Sequence, residues 1–409
     1  MDPDTGGVIS MKEFRPVIRF AVASDTHIRD DTNTGAERIG KILRCAYEAA
    51  DSDKHYDKLD AVIFAGDITD AGRASQYNTF YSAVKSSLRE NTALLNIVAK
   101  SHDCNEMGKA ALRFYKNLTG LDTDFDRVIN GFHFIGISTC GEEGVYYNEA
   151  QREFLKKSLE NASRENPEKP VFVFHHEHVK HTVYGSSEFD GWGNDHFSDI
   201  LFQYPQIIDF SGHSHYPLND PRSIWQGEIT ALGTGACFYA EFTFDGERKI
   251  RPEGCRDIAQ FWLVEADENN SVRLRGIDAL SGKTLTEYLI DDPCDRGSRR
   301  FTPAMQEGRA KAPYFDEKAK PTIETVDGKI RVNVPPAHSA DGEIIFAYRL
   351  TAFDKSGKAI ENIKLINRYW LIEENKQIVF TLESTDFYEI TVTAENAYGH
   401  KSKPLKIIG

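Results

Sequence analysis

At 409 residues the chain is too long for one ordinary core, and two domains are expected. It is 40% hydrophobic and 27% charged, the composition of a soluble globular protein. A formal net charge of -14 argues against a nucleic-acid polymer or an anionic membrane as partner, so phosphate chemistry would need local positive charge such as metal ions.

The chain opens without a basic start or an apolar stretch over Met1 to Ser10, so no signal peptide is visible and the cytoplasm is the default location. No apolar run approaches the roughly 20 residues of a membrane span. Val17 to Ala23 reads as a strand and ends in Ser24-Asp25-Thr26-His27. Ile39, Ile42, Leu43, Ala46, Tyr47 and Ala50 then recur at helical spacing. The apolar run Ala61 to Ala65 is a second strand and ends in Gly66-Asp67-Ile68-Thr69-Asp70. A second amphipathic helix carries Tyr77, Phe80, Tyr81, Val84 and Leu88. Leu94 to Ala99 is a third strand, followed by Lys100-Ser101-His102-Asp103. Strands alternating with helices imply βαβ units and a largely parallel sheet.

Val128 to Ser138 is expected to be a hairpin turning at Asn130-Gly131, and Asn148 to Ala162 a further helix. Pro170 to Phe174 is a strand ending in His175-His176-Glu177-His178. Gln206 to Phe210 is another, ending in Ser211-Gly212-His213-Ser214-His215. Ile258 to Glu265 and Val272 to Ile277 close this region. The charged stretch from Asp295 reads as a linker. Beyond it, Lys329 to Val334, Phe346 to Leu350 and Tyr388 to Ala394 alternate like the short strands of a β-sandwich. Six scattered cysteines without a CxxC fit neither a zinc finger nor a disulfide scaffold.

Five strand ends therefore present polar groups: Asp25 with His27, Asp67, His102, His175, and His213 with His215. A lone Gly-Asp reads as a helix cap, and a lone buried His as a satisfied core residue. Five sites, each directly after an apolar strand, are hard to explain by packing. Carboxyl ends of strands are where α/β sheets place ligand chemistry. Residues i and i+2 at a loop start can point the same way, so each Asp/His pair can chelate one ion, with Asp67 shared between two. Carboxylate plus imidazole suits Mn, Fe or Zn. Two such ions about 3.5–4 Å apart clamp a phosphoryl group and lower the pKa of a bridging water, whose hydroxide attacks phosphorus. His102 can protonate the leaving oxygen.

The order Asp-x-His, Gly-Asp-x-x-Asp, His-Asp, His, Gly-His-x-His resembles that of the calcineurin-like metallophosphoesterases. The resemblance implies a two-sheet βα sandwich, with catalytic residues 14–294, a linker at 295–318 and a final domain at 319–409. It implies that Asp25, His27, Asp67 and His215 hold one metal, and that Asp67, His175 and His213 hold the other. Sequence leaves open whether His175 or His176 ligates; His175 is preferred as the first residue after the strand. The resemblance further implies that His102 contacts phosphate or acts as the acid, with Asp70 orienting and charge-stabilising it. Where the family has Gly-Asn-His, this chain has Lys100-Ser101-His102. Ser101 thus replaces an amide ligand of the second metal and is expected to weaken that site.

Three loop aromatics, Trp192, Trp225 and Tyr239, are weighed as stacking surfaces for a base or sugar against a plain anchoring role. Residues 319–409 resemble a fibronectin type III domain, on Tyr388-Glu-Ile-Thr-Val-Thr-Ala-Glu-Asn-Ala-Tyr-Gly399, with Tyr388 as the corner tyrosine. That domain is expected to pack on the catalytic one or to bind a protein or surface partner. Fibronectin-like modules often accompany secreted bacterial enzymes, which leaves an extracytoplasmic home open. The expected activity is metal-dependent hydrolysis of a small phosphomonoester or phosphodiester, with a nucleotide among the candidate substrates. The alternative, raised by Ser101, is a member that binds a phosphorylated ligand or partner without efficient turnover.

Overall fold

The structure is a computed structural model that describes residues 14–139, 146–187, 192–339, 343–372, 378–383 and 386–408. Its first part is built on two six-stranded sheets. Strands β1 (Pro16–Ala23), β2 (Ala61–Ala65) and β3 (Ala93–Ile97) run parallel. They are extended on the β1 side by antiparallel strands Gln260–Asp267, Val272–Asp278 and Lys283–Ile290. The second sheet carries β4 (Phe125–Ile129), β5 (Phe132–Gly136) and β6 (Val171–Phe174), followed by Ile207–Ser211, Thr230–Gly233 and Ile224–Gln226. β5, β6, Ile207–Ser211 and Thr230–Gly233 are parallel neighbours.

Alternation decides what each face buries. In β2, Ala61 and Ile63 face the space between the sheets, while Val62 and Phe64 face the helices outside. Between the sheets, Phe20 packs edge-on against Phe134 and Phe172, at ring-centre distances of 4.8 and 4.6 Å. Outside the first sheet lie α1 (Thr34–Asp51), α2 (Ala74–Ser87) and α3 (Ala110–Thr119). α1 buries the Ile39, Ile42, Leu43, Ala46, Tyr47, Ala50 face expected of it. α4 (Glu149–Glu165) covers the second sheet through Leu155, Leu159 and Ala162. Its start is fixed by a capping box, in which Gln151 N–H donates to the Asn148 side chain and the Gln151 side chain accepts from Asn148 N–H.

Several elements escape the sequence reading, three of them in instructive ways. α3 buries only Ala111 and Tyr115, too short a stripe to register as periodic. Lys283–Ile290 is an edge strand with an alternating but mostly exposed face. Within 295–318, Pro303–Arg309 is helical, and Phe301 packs on Tyr288 at 4.9 Å.

The C-terminal region is rich in strands and forms two antiparallel sheets. One orders Thr322–Val326, Lys329–Val334 and Ile378–Leu382; the other orders Ala359–Ile366, Ile345–Phe353, Glu389–Asn396 and Leu405–Ile408. Their facing sides bury Val332, Leu350, Phe380 and Val392. Tyr388 does not serve as a corner tyrosine: its side chain is 47% exposed, and Ile390 and Val392 supply the core of that strand. A separate aromatic cluster joins this region to the first part, bringing Phe346, Tyr369 and Trp370 against Tyr184, Tyr216 and Phe242. No described helix is long and apolar enough to cross a membrane.

Candidate metal centre

The carboxyl ends of both sheets meet at one edge, and the loops leaving them carry the polar groups. The backbone there is unusual. Asp25 (φ 54°), His27 (40°), Asp67 (48°), His213 (73°) and His215 (60°) all lie in the left-handed region. For non-glycine residues this costs about 1–3 kcal/mol each and persists only where the surroundings over-determine it. Two glycines allow the close approach. A Cβ on Gly66 would lie 2.4 Å from His176 Nδ1, and one on Gly212 would lie 2.7 Å from Asp25 Oδ2.

Two groups of donors share Asp67. In the first, one ligand atom from each of Asp25, His27, Asp67 and His215 falls within 4.8 Å of the others. His215 Nε2 lies 3.1 Å from Asp25 Oδ1 and 3.2 Å from His27 Nε2. In the second, Asp67, His176 and His213 meet the same criterion. His176 Nε2 lies 3.2 Å from Asp67 Oδ2 and 3.1 Å from His213 Nδ1. His27, Asp70 and His102 form a third group beside the first.

Three imidazoles are oriented alike. His176 Nδ1–H donates to the Ala65 carbonyl (2.8 Å), His215 Nδ1–H to the Tyr239 carbonyl (3.0 Å) and His102 Nδ1–H to the Asp70 carbonyl (2.7 Å). A carbonyl can only accept, so each Nδ1 carries the proton and each Nε2 is left to face the site. Among the described residues, no group of good hydrogen-bond geometry meets the buried Asp25 Oδ1 or His27 Nδ1.

The electrostatics draw in positive charge. Burial opposes ionisation of Asp67, yet the His176 imidazole brings its carboxyl well below the usual range. Burial likewise opposes protonation of His176, but Asp67 against it raises that imidazole well above its ordinary value. Asp25 and His215 repeat the pattern, the carboxyl lowered and the imidazole raised against the effect of burial. His27 and His213 go the other way, lowered chiefly by burial, so the cluster combines ionised carboxylates with neutral imidazoles, a fitting cradle for hard or borderline cations.

Three sequence assignments change. The residue contributed by the strand after Pro170 is His176, and His175 points away. The ladder runs one residue past β6, with His175 N–H donating to the Phe210 carbonyl. His175 therefore continues the outward face of Val171 and Val173, and its Nε2 meets the buried Asp209 carboxylate at 2.8 Å. Ser101 is turned onto Asp67, donating its hydroxyl to Oδ1 at 2.6 Å, with His102 N–H on the same oxygen at 3.2 Å. Asp70 holds His102 by its main-chain carbonyl; its carboxylate faces His27 Nδ1 and Arg29, each at 3.6 Å.

The remaining candidates sort by burial. Glu177 is buried and accepts from the Tyr147 hydroxyl at 2.7 Å, while His178 sits between the Ser211 and Ser214 hydroxyls at 2.8 and 2.7 Å. His181 alone of that stretch is exposed. Trp192 packs on Tyr216, and Trp225 on Phe202. Tyr239 reaches the site, where its ring is already engaged by the His215 ring at 4.2 Å and the Arg251 guanidinium at 4.2 Å. Sequence reading passed over Asp209, although a carboxylate inside the run Ile207-Ile208-Asp209-Phe210 was a signal that something buried needed it. Asp103 gave a similar signal. It accepts from Thr69 N–H, Thr69 Oγ1–H and Ala99 N–H, tying the two loops together. Burial and the neighbouring Asp67 push its carboxyl up to about 7.

Residues 18–217 match the family model described as calcineurin-like phosphoesterase. No curated protein sequence matches the chain. Among solved structures, a purple acid phosphatase from yellow lupin (Lupinus luteus) seeds is similar at 14% identity and a TM-score of 0.46, covering 67% of this chain and 53% of that one. This chain thus spans about half the length of the lupin protein. GAP50, described as the anchor in the inner membrane complex of Plasmodium, is similar at 13% identity and a TM-score of 0.45, covering 67% and 89%. A phosphopantetheinyl hydrolase from Mycobacterium tuberculosis is similar at 14% identity and a TM-score of 0.31, covering 53% and 89%.

Proposed function

We propose that this chain, whose residues 18–217 match the calcineurin-like phosphoesterase family model, hydrolyses a small phosphomonoester or phosphodiester at a centre for two metal ions of the Mn, Fe or Zn class. The observation that carries the reading is the pair of buried donor groups sharing Asp67. Asp25, His27, Asp67 and His215 would hold one ion, and Asp67, His176 and His213 the other. Bound ions would supply charge neutralisation at the phosphoryl oxygens and a lowered pKa for the attacking water.

This chain's own residues supply the rest. His102, tied through Nδ1 to the Asp70 carbonyl, presents Nε2 toward the site. As the oxygen of the already deprotonated water bonds to phosphorus, the bond to the leaving oxygen breaks, and that oxygen takes the Nε2 proton of the imidazolium form of His102. Asp70 stabilises the arrangement through His27 and keeps Arg29 at the rim. Ser101 holds the orientation of Asp67 by hydrogen bond. That placement also favours a second reading, in which the second ion is weak and the site binds a phosphorylated ligand without efficient turnover.

We read residues 319–409 as a fibronectin type III-like sandwich. The reading rests on its three- and four-stranded antiparallel sheets. A screen of metal-loaded protein against alkyl and aryl mono- and diesters tests the function. Turnover that depends on added metal supports hydrolysis. Tight phosphate or ligand binding without turnover supports the second reading, and neither would refute both.

A further inference from the structure

His215 stands in a left-handed backbone, and two loops frame it. The first runs on through Tyr216 to Arg222. The second, from Tyr239, gives His215 both the carbonyl that fixes its Nδ1 and a ring against its own. Each loop is anchored on the C-terminal sandwich. On the first, the Asn219 side-chain amide donates to the Tyr369 carbonyl at 2.8 Å, and the Tyr369 hydroxyl donates to Asp220 Oδ2 at 3.1 Å. Asp220 in turn pairs with Arg222, whose guanidinium covers the Tyr184 ring at 3.6 Å and the Phe346 ring at 4.9 Å. On the second loop, Phe242 packs on Trp370 at 4.9 Å, and the Trp370 indole N–H donates to the Gly254 carbonyl at 3.2 Å. Tyr369 and Trp370 are adjacent, and Trp370 is only 1% exposed.

We propose that the C-terminal sandwich is a positioning element of the metal centre, with Tyr369 and Trp370 clamping the two loops that aim His215. This rests on the metal-centre reading above. A strained ligand backbone keeps its geometry only while its surroundings enforce it, and here much of that enforcement comes from the sandwich. His176 and Asp67, by contrast, are held locally, through the Ala65 carbonyl and the Ser101 hydroxyl, and of the second group His213 alone shares the His215 loop. The sandwich therefore sets the affinity of the ion held by Asp25, His27, Asp67 and His215 more than that of its neighbour.

The test is manganese titration of the full chain, followed by paramagnetic resonance to separate single from spin-coupled ions, beside thermal unfolding. Tyr369→Phe removes one hydrogen bond and keeps the ring, while Trp370→Ala removes the indole. Both should weaken the first ion, by less than the 10–100-fold typical of a group hydrogen-bonded directly to a ligand, and shift the second less still. Val392→Ala, inside the sandwich core and away from the clamp, should lower the melting temperature and leave both affinities alone. If Trp370→Ala fails to fold, Tyr369→Phe still decides. Unchanged affinities in both clamp variants, equal weakening at both sites, or the same loss in Val392→Ala would overturn the proposal. A wild-type chain that binds no manganese would take down the metal-centre reading and this one together, whereas unchanged affinities in a metal-binding wild type overturn this one alone.

Discussion

The two donor groups share Asp67 but are built differently. The first uses Asp25, His27 and His215 on loops in left-handed conformation, with the Tyr239 loop and the sandwich behind them. The second uses His176, whose ring is pinned to the Ala65 carbonyl on β2, and His213, which is itself left-handed, lies two residues before His215 and donates its main-chain N–H to Asp25. The first group is rich in ligands and depends on distant packing. The second has a ligand fewer, with Ser101 spent on a hydrogen bond to Asp67, yet its frame is local. A site can thus be strong in donors and weak in its scaffold, or the reverse.

The largest effect should come from the residue common to both. Asp67→Asn should remove both ions, weakening metal binding beyond the 10–100-fold range of an outer-shell change, as read by metal content after dialysis. Retention of one full ion would show that the groups do not share it. Next comes the contrast between adjacent histidines. His176→Ala should cost the second ion and, by leaving the buried Asp67 without its imidazole, should also lower stability. His175→Ala should keep both ions but strand the buried Asp209, lowering stability by about 3–5 kcal/mol. Metal content and denaturant unfolding on the two variants read this directly, and the opposite pattern would restore His175 as the ligand.

Third, His102→Ala should keep both ions and lower turnover of alkyl esters by about 10²–10⁴-fold, with a smaller loss on aryl esters whose leaving group needs no proton. Loss of an ion would instead assign His102 to the third donor group with His27 and Asp70. The smallest effects belong to the flanks. Asp70→Asn should fall short of His102→Ala, because the carbonyl that holds His102 survives the substitution. Ser101→Asn should tighten the second ion toward the first, which a two-step titration would resolve.

The sheets and the ligand motifs were legible because both rest on local pattern. Apolar runs such as Ala61 to Ala65 mark strands, and a polar group directly after each marks the functional edge. What failed needed three dimensions. Choosing between His175 and His176 required knowing that the ladder extends one residue past β6, since a one-residue change of register turns a side chain to the other face. The role of Asp70 turned on its main chain rather than its carboxylate. The clamp joins segments far apart in sequence, Tyr369 with Asp220 at a separation of 149 and Trp370 with Gly254 at 116, and no local pattern announces such contacts. α3 was missed because its buried stripe is only Ala111 and Tyr115.

The most direct test of the metal centre is anomalous diffraction from crystals of the full chain grown with manganese or zinc. The account predicts two peaks flanking Asp67, one bounded by Asp25, His27 and His215 and the other by His176 and His213. A peak at His175 and Asp209, or no peak at Asp67 under saturating metal, would contradict it.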